Sequence, residues 1–114
     1  MRVAVVGSRA VKNFEAVCQA IMEKLPQGCS EIVSGGADGV DAAAKEVAGR
    51  MNIVYTAFLP DYERYGRQAP LKRNTQIVDY ADYVLAFWDY CSSGTKNTLS
   101  EALRLHKQLM VVGI

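Results

Sequence analysis

Val3-Ala4-Val5-Val6-Gly7-Ser8-Arg9 decides the fold. Val3 to Val6 is apolar without a polar alternation and rich in β-branched residues, so it reads as a strand buried on both faces, closed by Gly7-Ser8-Arg9. Phe14, Val17, Cys18, Ile21, Met22 and Leu25 then recur at three- and four-residue spacing. That period gives an amphipathic helix, which Pro26 and Gly28 stop. The same alternation runs to the other end. Glu31–Val33 is a second short strand, Val40–Met51 an Ala-rich helix with Asp38 placed to cap it, and Ile53–Leu59 a third strand ended by Pro60. After a tyrosine-rich loop, Ala69–Tyr80 is helical, Tyr83–Trp88 a strand, Leu99–Lys107 a helix and Leu109–Val112 the fifth strand. Short apolar strands alternating with helices of about three turns mean βαβ units. The expected architecture is therefore α/β: a minimal Rossmann-like three-layer sandwich with a mostly parallel five-stranded sheet, one domain over residues 1–114.

Composition agrees with such a domain and excludes several classes. The 114 residues are 50% hydrophobic and 22% charged, with 13 basic against 12 acidic side chains and a net charge of +1. Area scaling gives roughly 6,200 Å² exposed when folded against about 18,000 Å² unfolded, enough burial for a core without staples. Disorder is excluded by this balance, and the near-neutral charge argues against nucleic acid as a partner. Three cysteines without a CxxC pair, and a single histidine, argue against a disulfide framework and a Cys/His metal site. No metal and no cofactor are expected. No run approaches the ~18 apolar residues of a membrane span, so the reading is a cytoplasmic protein with reduced thiols.

In an open parallel sheet, ligands bind at the carboxyl ends of the strands near the switch in strand order. The chain's unusual residues fall there: Gly7, Ser8 and Arg9 after the first strand; Ser34, Gly35, Gly36, Asp38, Gly39 and Asp41 after the second; Trp88, then Ser93, Gly94 and Thr95 after the fourth. Glycines let backbone amides approach a phosphate, and a helix start adds unpaired N–H donors. Each feature also has a plainer reading. The glycines can simply make tight turns, Asp38 and Asp41 can cap a helix or hold ribose hydroxyls, and Arg73 can be a solvated helix residue. Glu101 can act on a ligand or complement its helix dipole. Tyr62, Tyr65 and Trp88 can stack on a base or pack. The Walker pattern GxxxxGK[ST] is absent, and Gly35-Gly36-x-x-Gly39 is not GxGxxG and follows the second strand. ATPase, kinase and dinucleotide oxidoreductase readings lose their support.

Gly7-Ser8-Arg9, Ser34 to Asp41, Arg73-Asn74, Ala86-Phe87-Trp88 and Ser93-Gly94-Thr95, in this order and spacing, resemble the SLOG superfamily almost end to end. More narrowly the chain resembles its small YspA/YpsA-related branch of unknown function. The superfamily includes the Lonely Guy phosphoribohydrolases and DNA-processing protein A. The resemblance implies a Rossmann-like fold, a nucleotide or nucleotide-derived ligand, and a homodimer. Against the Lonely Guy pattern PGGxGTxxE, residues 93–101 keep Gly94, Thr98 and Glu101 but carry Ser93, Thr95 and Asn97 in place of a proline and two glycines. By resemblance, Thr98 joins the ligand-binding set. Arg73 and Glu101 would be catalytic, polarising a ribose and stabilising the charge that develops as an N-glycosidic bond breaks.

Three functions follow. The first is binding of a nucleotide-derived ligand, as a sensor, carrier or processing module. The second is a metal-independent N-glycosidic hydrolase or transferase centred on Arg73 and Glu101. The third is a single-strand DNA-binding module, against which the near-neutral charge stands.

Overall fold

In a computed structural model of the chain, which describes residues 1–114, five strands form one sheet in the order β3-β2-β1-β4-β5. The strands are β1 (Arg2–Gly7), β2 (Glu31–Ser34), β3 (Val54–Ala57), β4 (Tyr83–Trp88) and β5 (Gln108–Gly113). All four neighbouring pairs are parallel. The sheet is thus wholly rather than mostly parallel. β1 lies at its centre, with Ala4 in register with both Val33 and Val84. Val3, Ala4 and Val5 have no exposed surface, which is why this strand needs no polar face.

The helices are α1 (Phe14–Lys24), α2 (Val40–Arg50), the four-residue α3 (Tyr62–Tyr65), α4 (Ala69–Tyr80) and α5 (Ser93–Arg104). One core lies between the sheet and α1/α2, where Val17, Cys18, Ile21, Val40, Ala44 and Val47 meet Val3, Val5, Ile32, Leu85 and Phe87. The other lies between the sheet and α4/α5, built on Ala4, Val6, Val33, Ile77, Val78 and Ala102. The exposed area of 6462 Å² matches the value that chain length predicts. No helix is long and apolar enough to cross a membrane.

Helix ends explain the differences from the sequence reading. α1 begins as a capped helix, the Asn13 Oδ1 accepting from the Ala16 amide at 3.0 Å. Asp38 does not cap α2. Gly39 is the cap residue and no side chain bonds the first turn. The α2 start is held instead from outside, by the Val40 amide donating to the Ser8 carbonyl at 3.1 Å. Asp41 reaches back one turn, its Oδ2 accepting from the Ala37 amide at 3.2 Å. The tyrosine-rich loop contains α3, capped by Asp61, whose Oδ1 accepts from the Arg64 amide at 3.1 Å. β3 is shorter than Ile53–Leu59 at both ends. α5 starts six residues before Leu99 and stops at Arg104 rather than Lys107; the chain then passes His106 at φ 57° and enters β5 at Gln108, four residues beyond Arg104.

Candidate functional site

β1 is the switch point: the chain leaves it for β2 on one side and returns to β4 on the other. A polar cavity of about 650 Å³ opens there, at the carboxyl ends of the strands. β1 and its turn supply Val6, Gly7, Ser8 and Arg9; the β2–α2 segment supplies Gly35, Ala37 and Asp41. Across from them stand Arg67 and the α4 residues Pro70, Leu71, Arg73, Asn74 and Ile77. The β4–α5 segment contributes Asp89, Ser92, Ser93, Gly94, Thr95 and Thr98. A second cavity of about 300 Å³ takes in Gly36, Asp38, Leu59 and Pro60, and shares Arg9, Gly35, Ala37 and Arg73 with the first.

Ser8 ties three segments together. Its amide donates to the Phe87 carbonyl at 3.2 Å, its carbonyl receives Val40, and its hydroxyl accepts from the Asp89 amide at 3.2 Å. Asp89 in turn accepts through Oδ1 from the Cys91 and Ser92 amides at 2.9 and 2.8 Å, which holds its carboxyl below the usual carboxylate range. Trp88 does not line the cavity. Its indole N–H donates to the Ser92 carbonyl at 3.0 Å and so braces the turn into α5. Ser92 precedes α5 without capping it through its side chain. The amides of Ser93, Gly94 and Thr95 consequently have no intramolecular acceptor, and they belong to residues that line the cavity.

Arg73 is the central cation. It is only 8% exposed, and no carboxylate lies within 4.0 Å of it. Its Nη1 donates to the Gly35 carbonyl at 2.7 Å and the Phe58 carbonyl at 3.3 Å, and its Nε to the Asn74 Oδ1 at 3.1 Å. Nη2 keeps its donors free. Burial pushes the guanidinium below its ordinary value, and the charge of Asp41 opposes that shift. Asn74 passes the connection on, its Nδ2 donating to Asn97 Oδ1 at 3.0 Å, so α4 and α5 are joined behind the cavity. Gly35 sits between Arg73 and Asp41: a Cβ there would stand 2.5 Å from Arg73 Nη1 and 3.0 Å from Asp41 Oδ2. Only glycine allows both groups so near the β2 end.

Asp41 is 8% exposed, and burial raises its carboxyl above the ordinary value of 3.8, opposed by the Ala37 amide and then by Arg73. The folded chain therefore holds this proton to higher pH than the unfolded chain. Stability falls as pH rises from the ordinary value through the raised one. Asp41→Asn is expected to remove that fall, so its melting-temperature advantage over the parent grows with pH across this window. Parallel melting curves from pH 4 to 7 check it, and an advantage that shrinks with rising pH contradicts the assignment.

The structure separates the remaining sequence candidates. Gly36 and Asp38 belong to the second cavity. Ser34 is fully buried, its hydroxyl hydrogen-bonded to the Tyr55 phenol, and Gly39 serves the chain turn. Glu101 is not brought together with Arg73. Arg104, one turn along α5, donates to its Oε2 at 2.8 Å, and the Thr75 hydroxyl donates to its Oε1 at 2.5 Å. These bonds, that of Arg104 first, hold the Glu101 carboxyl down at about 2. The sequence reading missed Arg67 as a cavity residue and gave no site role to Asn74 or Asp89. The Arg73-Asn74 and Trp88-Asp89 pairs, each beside a residue already singled out, carried the available signal for two of them.

The family model described as DNA recombination-mediator protein A matches residues 1–62. This stretch contains the Ser8 turn and the whole β2–α2 segment, while Arg73 and α5 lie beyond it. DNA processing protein A (DprA) from Streptococcus pneumoniae superposes with a TM-score of 0.72 at 23% identity, over 96% of this chain and 49% of that one. A second structure, TM1055, superposes with a TM-score of 0.69 at 20% identity, over 95% of this chain and 71% of that one. The likeness shows a shared fold, and the chain spans about half the length of the Streptococcus protein. No curated protein matches the sequence.

Proposed function

The chain belongs to the DNA recombination-mediator protein A family as a SLOG-type domain, and from that premise we propose that it binds a phosphate-bearing, nucleotide-derived ligand at the carboxyl edge of its sheet. One observation carries this reading: Arg73 is a buried cation without a carboxylate partner, with one nitrogen uncommitted at a polar cavity. A buried charge is costly unless paired, so an anionic ligand supplies what the protein leaves out. The free amides at the start of the twelve-residue α5 add donors for the same anion. Asp41 Oδ2 and Asp89 Oδ1 accept from backbone amides, which fixes both carboxyls at the cavity lining as acceptors for sugar hydroxyls.

The test is a melting series with inorganic phosphate, ribose 5-phosphate, AMP and adenosine. The phosphorylated sugars are expected to stabilise the fold and adenosine is not. A ligand at 100 times its dissociation constant adds about 2.7 kcal/mol, roughly 10 °C for a domain of this size. Equal, negligible shifts across the series remove the reading.

Family membership favours a second reading, a single strand of DNA lying across the same edge, with Arg9, Arg67 and Arg73 meeting its phosphates. Salt separates the two. A strand neutralised at three phosphates loses affinity with a log–log slope of about −2, whereas a single enclosed phosphate gives a slope well under half of that. Glycosidic cleavage draws no support from the position of Glu101, which is held outside the cavity by Arg104 and Thr75.

A further inference from the structure

Twelve large apolar side chains are exposed, and five of them gather at one margin of the molecule: Met110 and Val111 on β5, Ile114 just after it, Leu103 on α5 and Tyr90 after β4. β5 is an edge strand, and it carries none of the devices that keep edges from pairing. From Leu109 to Ile114 there is no charge and no proline. The opposite edge, β3, is only four residues long, its Tyr55 and Thr56 hydroxyls are engaged by Ser34 and Glu31, and Pro60 follows it closely. On β5 the Ile114 amide donates to the Trp88 carbonyl at 3.1 Å. Peptide groups alternate in direction along a strand, so Met110 and Val112 also turn theirs to β4, while Leu109, Val111 and Gly113 turn theirs outward. The side chains of Leu109 and Val111 share the α4/α5 face, being in register with Val84 and Ala86 of that core. Tyr90 extends this face: a Cβ at Gly113 would stand 3.0 Å from its ring, so the tyrosine lies where residue 113 has no side chain. It is held there at φ 63°, a costly region for a bulky residue, and is still 64% exposed. Leu103, 68% exposed, belongs to the same margin. Glu101 turns to Thr75 of α4, and Leu103, about 200° further round the helix, faces away from α4 on the flank where α5 packs against β5.

We propose that the β5 edge docks a second copy of this chain, paired antiparallel across a twofold axis at Val111. Val111 then exchanges both of its backbone hydrogen bonds with its own copy, and Leu109 exchanges both of its own with the partner's Gly113. The two five-stranded sheets become one. A twofold axis sets each residue against another of the same strand, and like charges opposed in this way destabilise a sheet. An uncharged strand meets that condition, which argues for a second copy as the occupant. Shape agrees with charge. Leu109 lies opposite a glycine covered by an aromatic ring, so it packs on the partner's Tyr90, while the two Val111 side chains meet at the axis. No β5 residue lines either cavity, so the pairing leaves the ligand site open and stands apart from what binds there.

The experiment is analytical ultracentrifugation of the parent chain, of Val111→Lys and Val111→Glu alone, and of the two variants mixed. Melting curves verify that each variant is folded. At about 100 µM, where a micromolar dimer is nearly complete, the parent is expected to sediment at twice the monomer mass. Each variant is expected at the monomer mass, and their equimolar mixture as a dimer again, because lysine then meets glutamate at the axis. Amide hydrogen exchange of the parent gives a reading that needs no variant. The outward amides of Leu109, Val111 and Gly113 are expected to exchange within about tenfold of the inward amides of Met110 and Val112. A parent that stays monomeric overturns the second copy and leaves the edge to a strand of another protein or of a longer chain. A dimer that survives both substitutions, or whose outward amides exchange as fast as those of exposed loops, overturns this interface. Monomeric variants whose mixture also stays monomeric overturn the axis at Val111.

Discussion

Gly39→Ala is expected to destabilise the fold by about 3–5 kcal/mol, a fall of roughly 12–20 °C in Tm. Two independent costs add. The residue sits at φ 74°, ψ −125°, a region that side chains other than glycine's hydrogen rarely enter. A Cβ there would also strike the carbonyl oxygens of Ser8 and Arg9. Those atoms belong to the turn that fixes α2 on β1 through the Val40 amide, so relief by movement breaks that bond too. Gly49→Ala is the control. It lies within α2 with nothing near its would-be Cβ, and alanine there is expected to stabilise by about 0.5–1 kcal/mol. Thermal or urea melts of both variants decide the matter. A loss at Gly39 below about 1 kcal/mol, at the floor of the cost of such backbone conformations, would show that the Ser8–Arg9 turn yields freely.

The second large effect is on binding. Arg73→Met keeps the length of the side chain but removes its charge and donors, and affinity for a phosphorylated sugar is expected to drop on the order of 100-fold. Hydrogen bonds to a charged group contribute about 1.5–3 kcal/mol, and the lost Coulomb attraction in a buried site adds to them. The variant also leaves the Gly35 and Phe58 carbonyls without their donor, so a Tm decrease worth about 1–3 kcal/mol accompanies it. Calorimetry well below that lowered Tm isolates the binding term. Arg73→Lys is expected to fall between, because it keeps the charge but not the fork that reaches carbonyl, Asn74 and ligand together. Affinity of the Met variant within threefold of the parent would remove Arg73 from the site.

Much of this architecture was legible because burial wrote it in the simplest code. Val3–Val6 and Val84–Phe87 are buried on both faces, and a run without alternation has no other use in a chain this short. The beginning of α5 was not legible. Gly94, Thr95 and Asn97 are poor helix formers, and what makes that turn helical is supplied from elsewhere, by Trp88 on the Ser92 carbonyl and Asp89 on the Cys91 and Ser92 amides. Asp38 illustrates the same limit. A side chain of the right type stood at the expected spacing, yet the α2 start is satisfied by Ser8, which is 32 residues away from Val40 along the chain and adjacent only after folding. Glu101 matches a catalytic pattern by position, and its hydrogen bonds to Thr75 and Arg104 are contacts that the pattern does not contain. Short-range patterns announce elements and strand ends. Which polar group finishes a turn, or captures a carboxylate, depends on neighbours the one-dimensional pattern does not contain.

The central position of β1 also orders events in time. As the chain leaves the ribosome, β1, α1, β2, α2 and β3 can assemble from the first 57 residues, because their contacts are nearly sequential. The other edge of β1 must wait for β4, some 80 residues downstream of its partner positions. Closing that gap is the slow step that a long sequence separation imposes. Until it closes, an apolar strand edge stands open to any other chain nearby. The cavity straddles the same seam, so it exists only once the late half has docked. A ligand for it would act as a fastener on the last joint made, and its effect would be greatest on the unfolding rate rather than on the early steps of collapse.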